Sequence, residues 1–344
     1  MIRVESLDQE GRGVAHVEGK VVFIEGALPG ETVTCAVYRN KPSYELARLT
    51  AILKESYSRT APRCPHFGVC GGCSLQHLDA RAQVALKQRV LEDSLWHIGK
   101  VRPARVLPAI YGESWGYRNR ARLTVRHVVK KGGVLIGFHE KRSSYVADMK
   151  RCEILPPRIS ALLVPLRGLV ESLSIRDRVP QVELAAGGEV DAMVLRILRP
   201  LAAADEDLLR QFASRHRVRF FLQSGGPESA APLDPAHDAE LRYALPEFAL
   251  SIGYAPTEFT QVNAAVNAML VRRAVGLLAP REGERIADMF CGIGNFALAI
   301  ARSGARVLGV EGSRSLVARA RSNAERNGLS GYAEFAQADL FKMD

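Results

Sequence analysis

The sequence predicts a multidomain chain of β and α/β parts: an N-terminal barrel of the oligonucleotide-binding kind, a central α+β region, and the first half of a Rossmann-like, doubly wound domain. Three observations carry this. Short alternating strands broken by turns fill residues 1–58, strand-rich segments and polar loops fill 59–262, and from 263 onward a helix leads into strands that each end in an acidic residue.

In the first part, RVESLD, GVAHVEGKVVFIEGAL, ETVTCAVY and YELARLTAIL read as strands, with a tight turn at Glu18-Gly19-Lys20. Within ETVTCAVY, Val33, Cys35 and Val37 alternate with Thr32, Thr34 and Ala36, the period-two pattern of a half-buried strand. Cys35 is therefore expected in the barrel core. Leu78 to Ile98 reads as a helix with Val84, Leu91, Leu95 and Ile98 on one face. Beyond it, WGYRNRARLTVRHVV, GGVLIGFHE, EVDAMVLRIL and RVRFFLQ read as strands of the central region, separated by loops such as SGGPESAAPLDPAHD. A last helix is expected over Asn263 to Leu278.

Of the 344 residues, 47% are hydrophobic and 24% charged, and no apolar run approaches the roughly 18 residues of a membrane span. The opening MIRVESLDQEGRG has no apolar signal core, so a cytoplasmic protein without membrane association is expected, with its cysteines reduced. Formal charge is +10, and its distribution is uneven. Residues 1–60 balance eight basic against eight acidic side chains, whereas residues 100–152 hold thirteen Lys/Arg against Glu113, Glu140 and Asp148. A polyanion, most naturally nucleic acid, is the expected partner of that segment. Arg118, Arg120, Arg122 and Arg126 alternate along one strand and would project from one face, with Trp115 and Tyr117 nearby to stack on bases.

CPHFGVCGGC, residues 64–73, places three of the chain's six cysteines at spacings of six and three among glycines that permit a tight loop. Cys152 in MKRCEIL offers a fourth thiolate. Zinc accepts four cysteines but usually shows paired short hooks; a three-cysteine loop with one distant cysteine favours a [4Fe-4S] cluster held by Cys64, Cys70, Cys73 and Cys152. His66 and His77 are possible zinc ligands, with a surface or hydrogen-bonded histidine the simpler reading of each.

RIADMFCGIGNFALAIA, residues 285–301, is an apolar strand, a Gly-x-Gly turn and a helix. A second strand ends at Glu311, where a carboxylate would grip ribose hydroxyls, and a third ends at Asp339, placed to meet an adenine ring. The third glycine of a dinucleotide fingerprint is replaced by Asn295-Phe296. S-adenosylmethionine, which carries no phosphate, suits this bulkier turn. Cys291 lies inside it and would face the cofactor, not a substrate base.

The order of barrel, CPHFGVCGGC, YRNRARL, FTQVN and DMFCGIGNF, together with EGALPGE in the barrel, resembles the RNA uracil-5-methyltransferases. It is similar above all to the branch that modifies 23S ribosomal RNA and carries a TRAM barrel and a [4Fe-4S] cluster. The resemblance runs over essentially the whole chain. It implies cluster ligation by Cys64, Cys70, Cys73 and Cys152, and S-adenosylmethionine contacts from Gln261, Phe290, Asn295 and Glu311, with Asp339 a less firm match. It also implies a covalent route: a cysteine thiolate adds to uracil C6, C5 takes the methyl group, and a carboxylate removes the C5 proton. The family's nucleophile and glutamate base have no match in this sequence. Both are expected beyond Asp344, so the chain is read as C-terminally truncated, unable by itself to methylate RNA, and monomeric when full length. Two rival readings are an RNA-binding module with a structural metal, which leaves the Gly-rich turn and Glu311 without purpose, and a radical methylthiotransferase, whose C-x3-C-x2-C motif is not found.

Overall fold

The computed structural model describes residues 1–188, 190–237 and 240–342, so the first residue of EVDAMVLRIL and the last of the 224–238 loop lie outside the described residues. The chain forms two compact units, one of residues 1–111 and 138–147, the other of residues 112–137 and 148–344. They cut across the three-part division expected at residues 58 and 262. The reason lies in the main chain: Gly71 N–H donates to His139 O at 2.8 Å and Lys141 N–H to Val69 O at 2.8 Å, so segment 138–147 folds with the cysteine loop.

The first unit opens with β1 (Ile2–Arg3), β2 (Ser6–Leu7), β3 (Gly13–Val17), β4 (Lys20–Glu25), β5 (Thr32–Asn40) and β6 (Tyr44–Lys54) in the sheet order β1-β5-β6-β4-β3-β2. β1 and β2 are two pieces of one extended stretch. The first pairs with β5 and the second with β3, and Glu5 N–H donates to Val14 O at 2.8 Å, so this stretch closes the sheet into the expected barrel. Val4, Ala15, Val22, Ile24, Ala27, Val33 and Ala47 fill it, and Cys35 packs against them as expected. Val37 does not follow the alternation: it is 48% exposed. Register shifts at Thr34/Cys35 and Val37/Arg39 break the period-two pattern there, as bulges do.

Helix α1 (Ala80–Asp93) begins at Asp79, whose carboxylate accepts from Arg81 N–H and Ala82 N–H, and it runs on into a wider turn over Ser94–Ile98. The expected span is present, but its apolar face is not buried. Leu91 is 54% and Ile98 82% exposed.

In the second unit, β7 (Arg120–Val128), β8 (Gly133–Gly137), β9 (Gln181–Ala186), β10 (Asp191–Arg196), β11 (Val218–Gln223) and β12 (Ala231–Pro232) form one sheet in the order β12-β11-β10-β9-β7-β8. Helices α2 (Pro157–Ser160), α3 (Leu163–Ser172) and α4 (Ala203–His216) accompany it, α3 burying Leu163, Leu166, Leu169 and Val170. A hairpin of β13 (Leu241–Leu245) and β14 (Leu250–Tyr254) follows. Next come α5 (Ala264–Leu278), β15 (Arg285–Met289), α6 (Ala297–Ala301), β16 (Arg306–Glu311), α7 (Arg314–Arg326) and β17 (Ala333–Gln337). The last three strands are parallel in the order β15-β16-β17. Hairpin, helices and sheet share one core that includes Leu241, Ile252, Val271, Leu298, Val307 and Phe335.

Candidate functional site: a glycine-rich turn and a cysteine loop

In an open parallel sheet, ligands bind beyond the carboxyl ends of the strands, and three of the expected residues stand there. β15 ends at Met289. Phe290 then takes φ +65°, Gly292 +56° and Gly294 +91°, which turns the chain back sharply into α6. Positive φ is cheap for the two glycines and strained for phenylalanine, so Phe290 marks a conformation enforced by its surroundings. Its ring is exposed and lies 5.6 Å from that of Phe341. Across the turn, Glu311 accepts from Gly292 N–H at 3.2 Å and from Ser313 N–H at 3.0 Å. Ala338 N–H donates to Glu311 O at 3.1 Å, which keeps the ends of β16 and β17 together and brings Asp339 to the same edge. Asp339 is exposed and pairs with Lys342 at 3.1 Å.

Asn295 closes the turn through an amide pair. Its Nδ2 donates to Asn267 Oδ1 at 2.9 Å, Asn267 Nδ2 donates back at 3.0 Å, and the Tyr243 hydroxyl donates to Asn295 Oδ1 at 2.8 Å. The FTQVN motif explains how Asn267 comes to be there. Asn263 caps α5 by accepting Val266 N–H at 3.0 Å, and Asn267 lies one helical turn further on. Gln261, just before the cap, lines a small pocket with Asn119, Arg120, Tyr243, Tyr254 and Asn267. The structure therefore brings Gln261, Phe290, Asn295, Glu311 and Asp339 to one end of the second unit. Sequence reasoning missed Tyr243 and Asn267. A second asparagine four residues after the Asn263 cap was the available signal for Asn267; Tyr243 had none.

Cys291 is buried, and its thiol is pushed up to about 12, first by burial and then by the neighbouring Asp288 and Glu311 charges. It stays protonated at neutral pH, which disfavours it as a nucleophile. Asp288 is also raised by burial; it accepts Ala297 N–H, and its Oδ2 has no partner among the described residues.

The arginine stripe is only partly as expected. Ala121, Leu123 and Val125 point into the core and Arg122 and Arg126 outward, but Arg120 is covered. Its Nη2 donates to Pro256 O at 2.6 Å, and it shares Glu183 with Arg122, at 3.8 and 2.9 Å respectively. A cation already neutralised in this way adds little to a phosphate-binding face.

In the first unit, Cys64 and Cys70 are buried and Cys73 half-buried. Burial pushes the Cys70 thiol up, as do the adjacent Cys73 and Cys64, and Gly72 N–H points at its sulfur at 3.4 Å. Gly71 eases a close approach: a Cβ there would stand 3.0 Å from His139 O, so the neighbouring main chain would have to give way. His77 is not at the surface, and among the described residues its ring makes no hydrogen bond. It is 3% exposed, neither ring nitrogen has a partner among the described residues, and burial with the nearby Arg59 and Lys141 lowers it to about 4. Cys152, in the second unit, is buried, and its N–H donates to Ser160 Oγ at 2.8 Å. Among the described residues no group of three or more His, Cys, Asp or Glu side chains is arranged to hold a metal ion, and Cys73 faces a wetter environment than Cys64 and Cys70.

Comparison with known proteins gives a TRAM domain over residues 1–50 and a match to the tRNA (Uracil-5-)-methyltransferase family over residues 249–333. The crystal structure of Pyrococcus abyssi tRNA (uracil-54, C5)-methyltransferase with S-adenosyl-L-homocysteine superposes with a TM-score of 0.75 at 22% identity, over 100% of this chain and 80% of that one, a likeness of fold. The 23S rRNA (uracil(1939)-C(5))-methyltransferase RlmD of Nitrosospira multiformis is 65% identical over 100% of this chain and 78% of its own length. That of Burkholderia pseudomallei is 59% identical over 100% of this chain and 75% of its own length. At that identity and coverage, the chain belongs to the 23S rRNA (uracil(1939)-C(5))-methyltransferase family.

Proposed function

We propose that this protein methylates C5 of uridine 1939 in 23S rRNA with S-adenosylmethionine as donor. The observation that carries the reading is the turn from Phe290 to Asn295 with Glu311 across it, at the carboxyl ends of parallel strands, in a chain of this family. The cofactor supplies an electrophilic methyl group on a sulfonium. Glu311 would take the ribose hydroxyls, Phe290 and Asp339 the adenine, and Gln261 and Asn295 the amino-acid end. In this reading the target base, out of its stack, is methylated through a covalent C6 adduct. Cys291, buried and protonated, does not supply that thiolate. A three-part division of labour at residues 58 and 262, a monomeric state and a cytoplasmic location belong to the same proposal; no described helix is long and apolar enough to cross a membrane. The test is calorimetry with S-adenosylhomocysteine, followed by binding to a 23S rRNA fragment that contains the uridine. One cofactor site per chain and a steeply salt-dependent RNA affinity are expected. Tight RNA binding without any cofactor binding would instead favour an RNA-binding module.

We also propose that Cys64, Cys70, Cys73 and Cys152 hold a [4Fe-4S] cluster as a structural cross-link. Support comes from the donor set, from the mutual effect of the three loop thiols, and from a backbone N–H directed at the Cys70 sulfur. Protein purified without oxygen should contain about four iron atoms per chain. Cys70→Ser should lose them, and stoichiometric zinc with no visible absorption would refute the assignment.

A further inference from the structure

We propose that Tyr243 and Asn267 are positioning residues: they fix the Asn295 amide, assigned above to the amino-acid end of the cofactor, so that a single N–H is offered there to the carboxylate. The inference rests on the cofactor reading above. Its basis is hydrogen-bond counting. Asn295 Oδ1 accepts from both Tyr243 Oη and Asn267 Nδ2, which occupies its two lone pairs. One hydrogen of Asn295 Nδ2 is used by Asn267 Oδ1, so among the described residues one is left. An amide with its oxygen saturated presents only a donor, and its complement is an acceptor, best an anionic one.

The two partners are suited to holding it. Asn267 is 3% exposed on α5, and Tyr243 sits on β13 with burial holding its hydroxyl firmly protonated. Both also line the pocket next to Gln261. Glu311 lies at the opposite side of the turn, where ribose hydroxyls are expected. That leaves the Asn295 side for the amino-acid end of the ligand.

The test compares S-adenosylhomocysteine with 5′-methylthioadenosine, which has the same nucleoside and no carboxylate, on the full chain. Tyr243→Phe, which preserves the ring and its packing, and Asn267→Leu are measured by calorimetry alongside their melting temperatures. Each variant should weaken S-adenosylhomocysteine about ten-fold or more and leave 5′-methylthioadenosine within about two-fold, as loss of one oriented charge-assisted bond requires. Unchanged affinity for S-adenosylhomocysteine in both variants overturns the proposal. Equal weakening of both ligands also overturns it, since a merely structural role loosens the whole site. Failure of the unaltered chain to bind either ligand would remove the cofactor reading itself, and this inference with it.

Discussion

Asn323→Ala is expected to destabilise the second unit by about 3–5 kcal/mol and to abolish cofactor binding, because one buried side chain satisfies three backbone groups at once. Asn323 is fully buried on α7. Its Oδ1 accepts Gly253 N–H at 2.8 Å, while Nδ2 donates to Gly253 O and to Ile293 O, both at 3.0 Å. Asn327 repeats the pattern with Ser251, accepting its N–H and donating to its carbonyl, each at 2.9 Å. The repeat is geometrically natural. Four residues of helix rise about 6 Å, and two residues of strand about 6.8 Å, so two asparagines one turn apart match alternate residues of β14. Helix α7 thus completes the hydrogen bonding of that strand as a neighbouring strand would. Because Ile293 belongs to the turn from Phe290 to Asn295, loss of Asn323 leaves orphaned polar groups there as well as at the hairpin. Urea unfolding with S-adenosylhomocysteine titration checks both effects. A loss under about 1 kcal/mol would mean that water replaces the amide, and Asn323→Asp, which sets a carboxylate oxygen against the Gly253 and Ile293 carbonyls, should cost at least as much as alanine.

Elements set by local pattern were readable in the sequence; contacts made across long stretches of chain were not. The helix from Asn263 to Leu278 and the strands ending near Phe290, Glu311 and Asp339 follow from capping, periodicity and turn chemistry, and they appear where expected. Val37 failed because a bulge is invisible to a two-residue period. Arg120 failed because the group that covers it, Pro256 O, lies 136 residues away. Leu91 and Ile98 show the converse, an apolar helical face that the described fold leaves largely uncovered. The same division runs through the candidate site. Gln261, Asn295 and Glu311 stand in recognisable motifs, whereas Tyr243 meets Asn295 from 52 residues away and Asn323 meets Ile293 from 30. Asparagines on helices are the weakest of these signals, since most serve caps or solvent.

Loss of the Arg59 guanidinium is expected to cost the first unit about 3–5 kcal/mol, and removal of its partner's charge as well should recover part of that loss. Glu31, the last residue of EGALPGE, is fully buried, and Arg59 holds it through Nε at 2.6 Å and Nη2 at 2.9 Å. Leu28 N–H at 2.8 Å and Ser56 N–H at 3.3 Å complete the shell, and Arg59 Nη2 also reaches Gly26 O at 2.7 Å. The pair joins the barrel to the segment that leads into the cysteine loop. Burial alone would raise the Glu31 carboxyl, but the Arg59 hydrogen bonds and charge, with the two backbone donors, outweigh it and hold the group below the usual carboxylate range. A depressed folded-state value means the unfolded chain binds the proton more tightly. The stabilisation is therefore fully present above about pH 5 and is lost as pH falls through the folded-state value. Arg59→Met leaves a buried carboxylate without its cation and should be the most damaging single change. Glu31→Gln keeps one acceptor for the backbone and should cost less, while flattening the acid limb of the melting profile below about pH 5. The double variant Glu31→Gln, Arg59→Met should be more stable than Arg59→Met alone. If the two losses simply add, the ion pair is not the unit that holds this corner of the barrel.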